Sequence, residues 1–246
     1  MDADRSSVRT RTHTGRTGES FLQLWQTIRT ASVDRHIHDK PYASIVLSGG
    51  YEEAGDHGRF RVGAGDVIFH ERFEAHLDRF SAGGAMVLNL NISPDYGVLP
   101  GLAKVTDVDE LVRIAEKDQN EALNFLIADA TRCNAGTFDW EDELCRVLVG
   151  DGSVHITEWA ERNGLSPWTV SRGFKEVFAV TPEAFRARSR AQRAWRRICD
   201  TEDSLAEIAL EVGFTDQPHM TQGIRQLTGM TPAKWRPANG SKTVGF

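Results

Sequence analysis

Between residues 153 and 236 this chain writes one pattern twice, and that constrains its fold more than anything else in it. From Gly164 to Phe185 it reads GLSPWTVSRGFKEVFAVTPEAF, and from Gly213 to Trp235 it reads GFTDQPHMTQGIRQLTGMTPAKW. Gly164 and Gly213 lie 49 residues apart; Thr181-Pro182 and Thr231-Pro232 lie 50 apart, so one residue has been inserted between them. Each copy is preceded by an amphipathic run with an alanine four residues ahead of the glycine, Ala160 and Ala209. Helix, glycine turn, second helix is the unit that delivers a helix end to a DNA major groove. Two such units predict an all-α domain, a double helix-turn-helix, over residues 153–238.

Each unit can be read residue by residue. Ser166-Pro167 is a helix start, with serine as N-cap and proline in the first turn. Beyond it Val170, Phe174 and Val177 fall at core spacing. Trp168, Thr169, Ser171 and Arg172 are left on the outer face near the helix start, where base edges are met. A joining helix from Pro182 turns Phe185, Ala191, Ala194, Trp195 and Ile198 inward. Arg186, Arg188, Arg190, Arg193, Arg196 and Arg197 ring its remainder and predict some phosphate contact. The second unit opens on Ser204 and Glu207, a capping box. Its second helix, from about Asp216, turns Met220, Ile224 and Leu227 inward and Gln217, Pro218, Thr221 and Gln222 outward. Gly173 and Gly223 sit at matching points inside the two reading helices, where glycine costs about 1 kcal/mol against alanine. Close packing against a neighbour is the predicted reason.

Charge supports this division. The formal net charge is −6, yet residues 1–150 hold 16 basic against 24 acidic side chains and residues 151–246 hold 13 against 11. Residues 162–197 carry nine basic side chains against only Glu176 and Glu183. An acidic half joined to a locally basic one fits a sensor attached to a nucleic-acid module. Cys133, Cys145 and Cys199 are odd in number and widely spaced, which predicts reduced thiols rather than a disulfide framework. The polar opening MDADRSSVRTRTHTGRTGES has no apolar core, and no run nears the ~18 apolar residues of a membrane span, so a cytoplasmic protein without membrane contact is predicted.

The N-terminal half is of another kind. Residues 1–19 lack periodicity and are predicted to be a mobile tail, with Arg5, Arg9, Arg11 and Arg16 solvated. Residues 20–98 hold short apolar runs (FLQLWQTI, YASIVLS, GRFRV, DVIF, AHLDRF, AMVLNLNI) broken by Gly49-Gly50, Gly55, Gly58, Gly63, Gly65 and Gly83-Gly84. Many short strands with frequent turn signals predict an antiparallel barrel or sandwich. Residues 99–150 change to a helical period. Asp107 to Glu110 starts one helix, Glu121 to Arg132 a second and Trp140 to Leu148 a third; these either pair two subunits or brace the barrel. Asp151-Gly152 reads as the linker. The fold class is therefore α+β in two domains.

His36 and His38 share one strand face, and His76 follows after the strand that ends at His70. Two imidazoles on one strand and a third on another resemble the metal site of cupins, but the carboxylate expected four or five residues on is replaced by Tyr42 and Ala43. Two readings stay open: His36, His38, Tyr42 and His76 line an effector pocket, or His36, His38 and His76 hold zinc or another transition metal. Tyr51, Glu52 and Glu53 are further candidates to meet a small polar ligand. No cofactor is required by the sequence.

The stretch LAEIALEVGFTDQPHMTQGIRQLTGMTPAKWR resembles the signature of the AraC/XylS regulators, and GLSPWTVSRGFK with TPEAF is similar to that family's other unit. The N-terminal half is more loosely similar to the cupin-like sensors such regulators carry. The resemblance implies a non-enzymatic transcription regulator whose two reading helices, joined by a long one, enter successive major grooves of double-stranded promoter DNA. It implies base reading by Trp168, Ser171 and Arg172 and by Gln217, Pro218, Thr221 and Gln222, with Lys175 and Arg225 at phosphate positions. Gln222 stands where the family has arginine and Ile224 where it has phenylalanine, so a weaker second helix is expected. A small-molecule effector, a homodimer, and RNA polymerase if the protein activates are the implied partners. The competing readings are a metal-responsive regulator and a cupin enzyme with a DNA-binding appendage.

Overall fold

The computed structural model describes residues 9–11, 25–29, 31–93, 101–134, 136, 139–150 and 154–236. They fall into two compact units, Met1–Phe138 and Asp139–Phe246.

Unit 1 is an antiparallel sheet with two helices. Its strands are β1 (Arg9–Arg11), β2 (Trp25–Ile28), β3 (Ser32–Ile37), β4 (Tyr42–Gly55), β5 (Gly58–Gly63), β6 (Asp66–His70), β7 (Ala75–Asn91), β8 (Leu102–Lys104) and β9 (Thr131–Arg132). The helices α1 (Val108–Ala115) and α2 (Gln119–Asp129) lie between β8 and β9 in the chain. β4 and β7 form the spine, paired from Tyr42↔Asn91 to Gly55↔His76. β5 and β6 flank the two ends of β4, and β3 and β2 flank the two ends of β7. β8 and β9 extend the sheet beyond β6.

The glycine pairs expected to separate strands lie inside them. β4 and β7 run through Gly49-Gly50 and Gly83-Gly84, with register shifts between Val46 and Ser48 and between Gly49 and Tyr51. Gly49 and Gly84 take φ of 74° and 71°, which glycine adopts without a Cβ penalty. Pairing therefore continues through a bulge instead of stopping.

Alternate residues of these strands feed two cores, which explains the unbroken buried run at Tyr42–Val46. Ile45, Val67, Leu88 and Leu90 pack on Leu111, Leu123 and Leu126 of the helices. Val46, Ile68 and Val87 face the other way, against Tyr51, Phe60 and Val62. Asp107 caps α1, accepting from the Glu110 amide at 2.8 Å. The buried residues of α1 and α2 pack against the sheet. The helical expectation for 99–150 needs two corrections. β8 and β9 are strands, because fully buried Ala103 continues the sheet opposite Val67. The helix α3 (Trp140–Gly150) belongs to unit 2. In the predicted mobile tail, Arg9–Arg11 pairs with β2 through main-chain bonds that side-chain pattern does not report. The rest of that tail, with Arg5 and Arg16, lies outside the described residues, as does the Asp151-Gly152 linker.

Unit 2 contains α3, α4 (Ile156–Arg162), α5 (Pro167–Phe178), α6 (Pro182–Asp200), α7 (Leu205–Glu211), α8 (Gln217–Thr228) and α9 (Pro232–Trp235). The start signals act as expected: Ser166 accepts from the Thr169 amide at 3.0 Å, and Ser204 and Glu207 form a reciprocal capping box. Phe178, rather than Val177, fills the core beside Phe174, since a step of four residues keeps the same helix face. Both interior glycines are closely packed. A Cβ at Gly173 would lie 2.6 Å from the Trp140 ring of α3, and one at Gly223 would lie 3.2 Å from Phe214.

The duplication also identifies one strained residue. α8 ends on Gly229 at φ 74°, whereas α5 ends on Ala179 at φ 59°. A left-handed alanine costs about 1–2 kcal/mol, part of which glycine returns through its freer unfolded chain. Ala179→Gly is therefore expected to stabilise unit 2 by about 0.5–1 kcal/mol, read as a higher urea midpoint at constant slope. A lower midpoint would show that this cap carries no strain.

Candidate nucleic-acid interface and a polar interior site

The outward residues of α5 and α8 stay outward. Trp168 is 67% exposed, and Arg172, Lys175, Gln217, Pro218, Gln222 and Arg225 are exposed, with Ser171 and Thr221 half-buried. Trp168, Ser171, Arg172, Lys175 and Glu176 line one shallow groove along α5. Gln217, Pro218, Thr221, Gln222 and Arg225 line a similar one along α8. Each face is fixed from behind: Val170, Phe174 and Phe178 anchor α5, and Met220, Ile224 and Leu227 anchor α8. The Arg172 guanidinium sits 5.2 Å from the Trp168 ring and donates to Glu176 at 2.9 Å.

Four of the six arginines of α6 are used within the unit. Arg186 donates to the Val154 carbonyl at 2.9 Å, and Arg193 to that of Gly150 at 3.1 Å, at the end of α3. Arg197 bridges Asp203 at 2.7 Å and Glu211 at 3.0 Å. Arg190 lies over the Phe214 ring at 5.6 Å. The charge run therefore clamps neighbouring segments onto α6.

Unit 1 contains a second collection of polar groups. β3 and β7 bring His36 directly opposite His76. The rings of His36 lie 4.8 Å from His38 and 4.4 Å from His76. His36 Nδ1 is 2.9 Å from the Asp34 carbonyl, which orients the ring. The Tyr42 hydroxyl reaches His38 Nε2 at 3.2 Å and His76 Nε2 at 3.5 Å. All four predicted pocket residues thus meet. Glu52 does not join them; it faces Arg61 at 3.0 Å and Arg79 at 3.5 Å.

Sequence reading passed over His70, Glu74 and Asp78, which belong to the same interior. His70 stacks under Tyr42 with ring centroids 4.3 Å apart and lies 4.5 Å from His76. Glu53 and Asp78 are cross-strand neighbours in register, both buried. The available signal was strand parity, since His76 and Asp78 are polar at i and i+2 of one face.

Burial sets the electrostatics. It pulls His38 down to about 4, helped by repulsion from His36 and His70. The same causes, burial first and then the neighbouring imidazoles, hold His76 well below its ordinary value. Burial followed by Asp78 pushes Glu53 well up, and burial raises Asp78 to about 7. Burial would also raise Glu74, but His57, His70 and the Glu71 amide together hold it at about 2. Tyr42 and Tyr51 are pushed up by burial and then by Glu53, and stay neutral phenols.

Comparison with known proteins agrees with the helical half. Residues 159–238 match the family described as a helix-turn-helix domain. The transcriptional regulator ExsA of Pseudomonas aeruginosa is 28% identical over 81 residues, covering 33% of this chain and 29% of ExsA. The transcriptional regulator ArgR of the same organism is 28% identical over 206 residues, covering 80% of this chain and 61% of ArgR. A solved probable AraC family transcriptional regulator from Rhodopseudomonas palustris is 23% identical, with a TM-score of 0.34, covering 37% of this chain and 93% of that one. The chain spans about 30% of the length of the first curated relatives it matches. Among the described residues no helix is long and apolar enough to cross a membrane. With two helix pairs and two exposed outer helix faces, residues 159–238 form a domain that matches the helix-turn-helix family.

Proposed function

We propose that the chain is a sequence-specific, non-enzymatic DNA-binding transcription regulator, acting in the cytoplasm, whose N-terminal unit responds to an effector at the interior around His36, His38, Tyr42 and His76. One observation carries this reading: both reading helices leave their non-core faces exposed as grooves, and the side chains suited to bases and phosphates are the ones that line them. Phosphate contact from Lys175 and Arg225 supplies charge-driven affinity. Arg172 recognises guanine bidentately, while Gln217 and Gln222 suit adenine. The Arg172–Glu176 pair is exposed by 62% and 64% on its two sides, so it is worth about 0–1 kcal/mol. A bidentate base contact worth about 1–3 kcal/mol outweighs it, and Glu176 keeps Arg172 extended until DNA arrives. An effector shifts DNA affinity only by its preference for one of two conformations, and a second subunit or RNA polymerase enters at that level.

The test uses duplexes selected from a random library by the full chain. Arg172→Ala is expected to relax preference at one base pair of the selected site, with about a 5- to 150-fold loss of affinity. Lys175→Ala should weaken binding to all sequences alike and lower the salt slope by about one. Selection that yields no enriched sequence would sink the reading; wild-type preference in the arginine variant would sink its assignment.

A further inference from the structure

Behind the histidine trio lies a deeper group that the trio does not explain. Glu53 of β4, His70 at the end of β6, Glu74 in the turn before β7 and His76 of β7 are each only 1–2% exposed. One donor atom from each lies within 4.8 Å of every other. His70 Nε2 is 3.7 Å from a Glu53 oxygen, and His70 Nδ1 is 3.8 Å from a Glu74 oxygen. Those separations are too long for hydrogen bonds. Either alone lies a few tenths of an ångström beyond the ~3.4 Å edge of a tetrahedron built on bonds of ~2.0–2.2 Å, and because they use the two different ring nitrogens of His70, a single ion takes only one of them. Glu53 Oε1, His70 Nδ1 and His76 Nδ1 are buried without any hydrogen-bond partner, a condition native interiors rarely tolerate unexplained.

From this geometry we propose that Glu53, His70, Glu74 and His76 form an inner site for one divalent first-row transition-metal ion. Two imidazoles and two carboxylates are a donor set for such ions rather than for magnesium or calcium. The charges close as well: two carboxylates offset the ion, so a neutral cluster is buried. A divalent ion favours the carboxylate anion and the neutral imidazole together. The space enclosed by donors so close suits an ion and not an organic molecule. Surrounding contacts orient the ligands. Glu74 is fixed by the Glu71 amide at 2.8 Å, and the Tyr42 hydroxyl lies on His76 Nε2, leaving Nδ1 for the ion. The carboxylates missing after the HxH are thus supplied by β4 and by the turn before β7. As an effector site this rests on the sensor reading above; as a binding site it does not.

The full chain, stripped with a chelator, is titrated with Co²⁺ alone in the absence of DNA and then challenged with Zn²⁺. One cobalt per chain is expected, with a visible ligand-field band that one equivalent of zinc displaces. Glu53→Gln and Glu74→Gln, both isosteric, are expected to weaken cobalt binding at least ~10-fold, the scale seen even for residues around metal ligands. His36→Gln, at the rim, is expected to keep the band, and circular dichroism checks that each variant is folded. No stoichiometric band overturns the proposal, as does a band lost with His36→Gln and retained in Glu53→Gln. Sequence selection on DNA is scored separately, so either reading can fail alone.

Discussion

Phe174→Ala is expected to cost unit 2 about 3–5 kcal/mol, a large share of the ~5–15 kcal/mol that holds a domain together. Phe174 is fully buried. Its ring stacks on Phe178 at 4.5 Å and meets Phe185 edge-on at 5.3 Å, while Phe178 and Phe185 are 5.6 Å apart. Removing the central ring leaves a cavity bounded by two helices that cannot both collapse into it, because α6 is also tied to α3, α7 and α8. The back of the reading helix α5 would lose its seat, so DNA affinity should fall along with stability. Hydrogen exchange resolved by peptide is the measurement, because it separates the two units. Protection should drop across α5 and α6 and stay unchanged in β4 and β7. A loss under 1 kcal/mol would mean that the three rings do not form the core described.

The second large effect belongs to unit 1. A Cβ on Gly49 would lie 2.1 Å from the Gly84 carbonyl oxygen, and one on Gly84 would lie 2.1 Å from that of Ile28. Both obstacles are backbone, so no rotamer change relieves them. Gly49→Ala adds the cost of φ 74° for a residue with a side chain to the separation of β4 from β7. About 2–4 kcal/mol is expected from the two together. Exchange should rise in β4, β7 and β2 and leave α5 untouched. By contrast Gly83→Ala, whose Cβ meets nothing within 4 Å, should leave unit 1 nearly unchanged. Equal effects at the two positions would refute the close-approach account.

Some of this was legible because it is local. N-caps, first-turn prolines and glycine turns act through bonds between residues three or four apart, so Ser166, Ser204 and Asp107 declared their helices. Helical periodicity found Phe174 and Ile224 and left Trp168 and Arg172 outside for the same reason. Where the period was applied one residue short, at Val177, the error was of the same local kind. The histidine trio was also legible, because parity on β3 put His36 on a face that β7 could meet.

Sequence by itself therefore determined the duplicated helix-turn-helix, its outward residues and the antiparallel character of the first half. Only the tertiary structure decided the use of Gly49 and Gly84 as bulges, the transfer of α3 to the helical unit and the seat of Trp140 on Gly173. It alone gathered Glu53, His70 and Glu74 around His76. The physical reason is separation along the chain. Caps and periods are settled by neighbours, whereas a buried carboxylate or a backbone close approach acquires meaning only from a strand dozens of residues away.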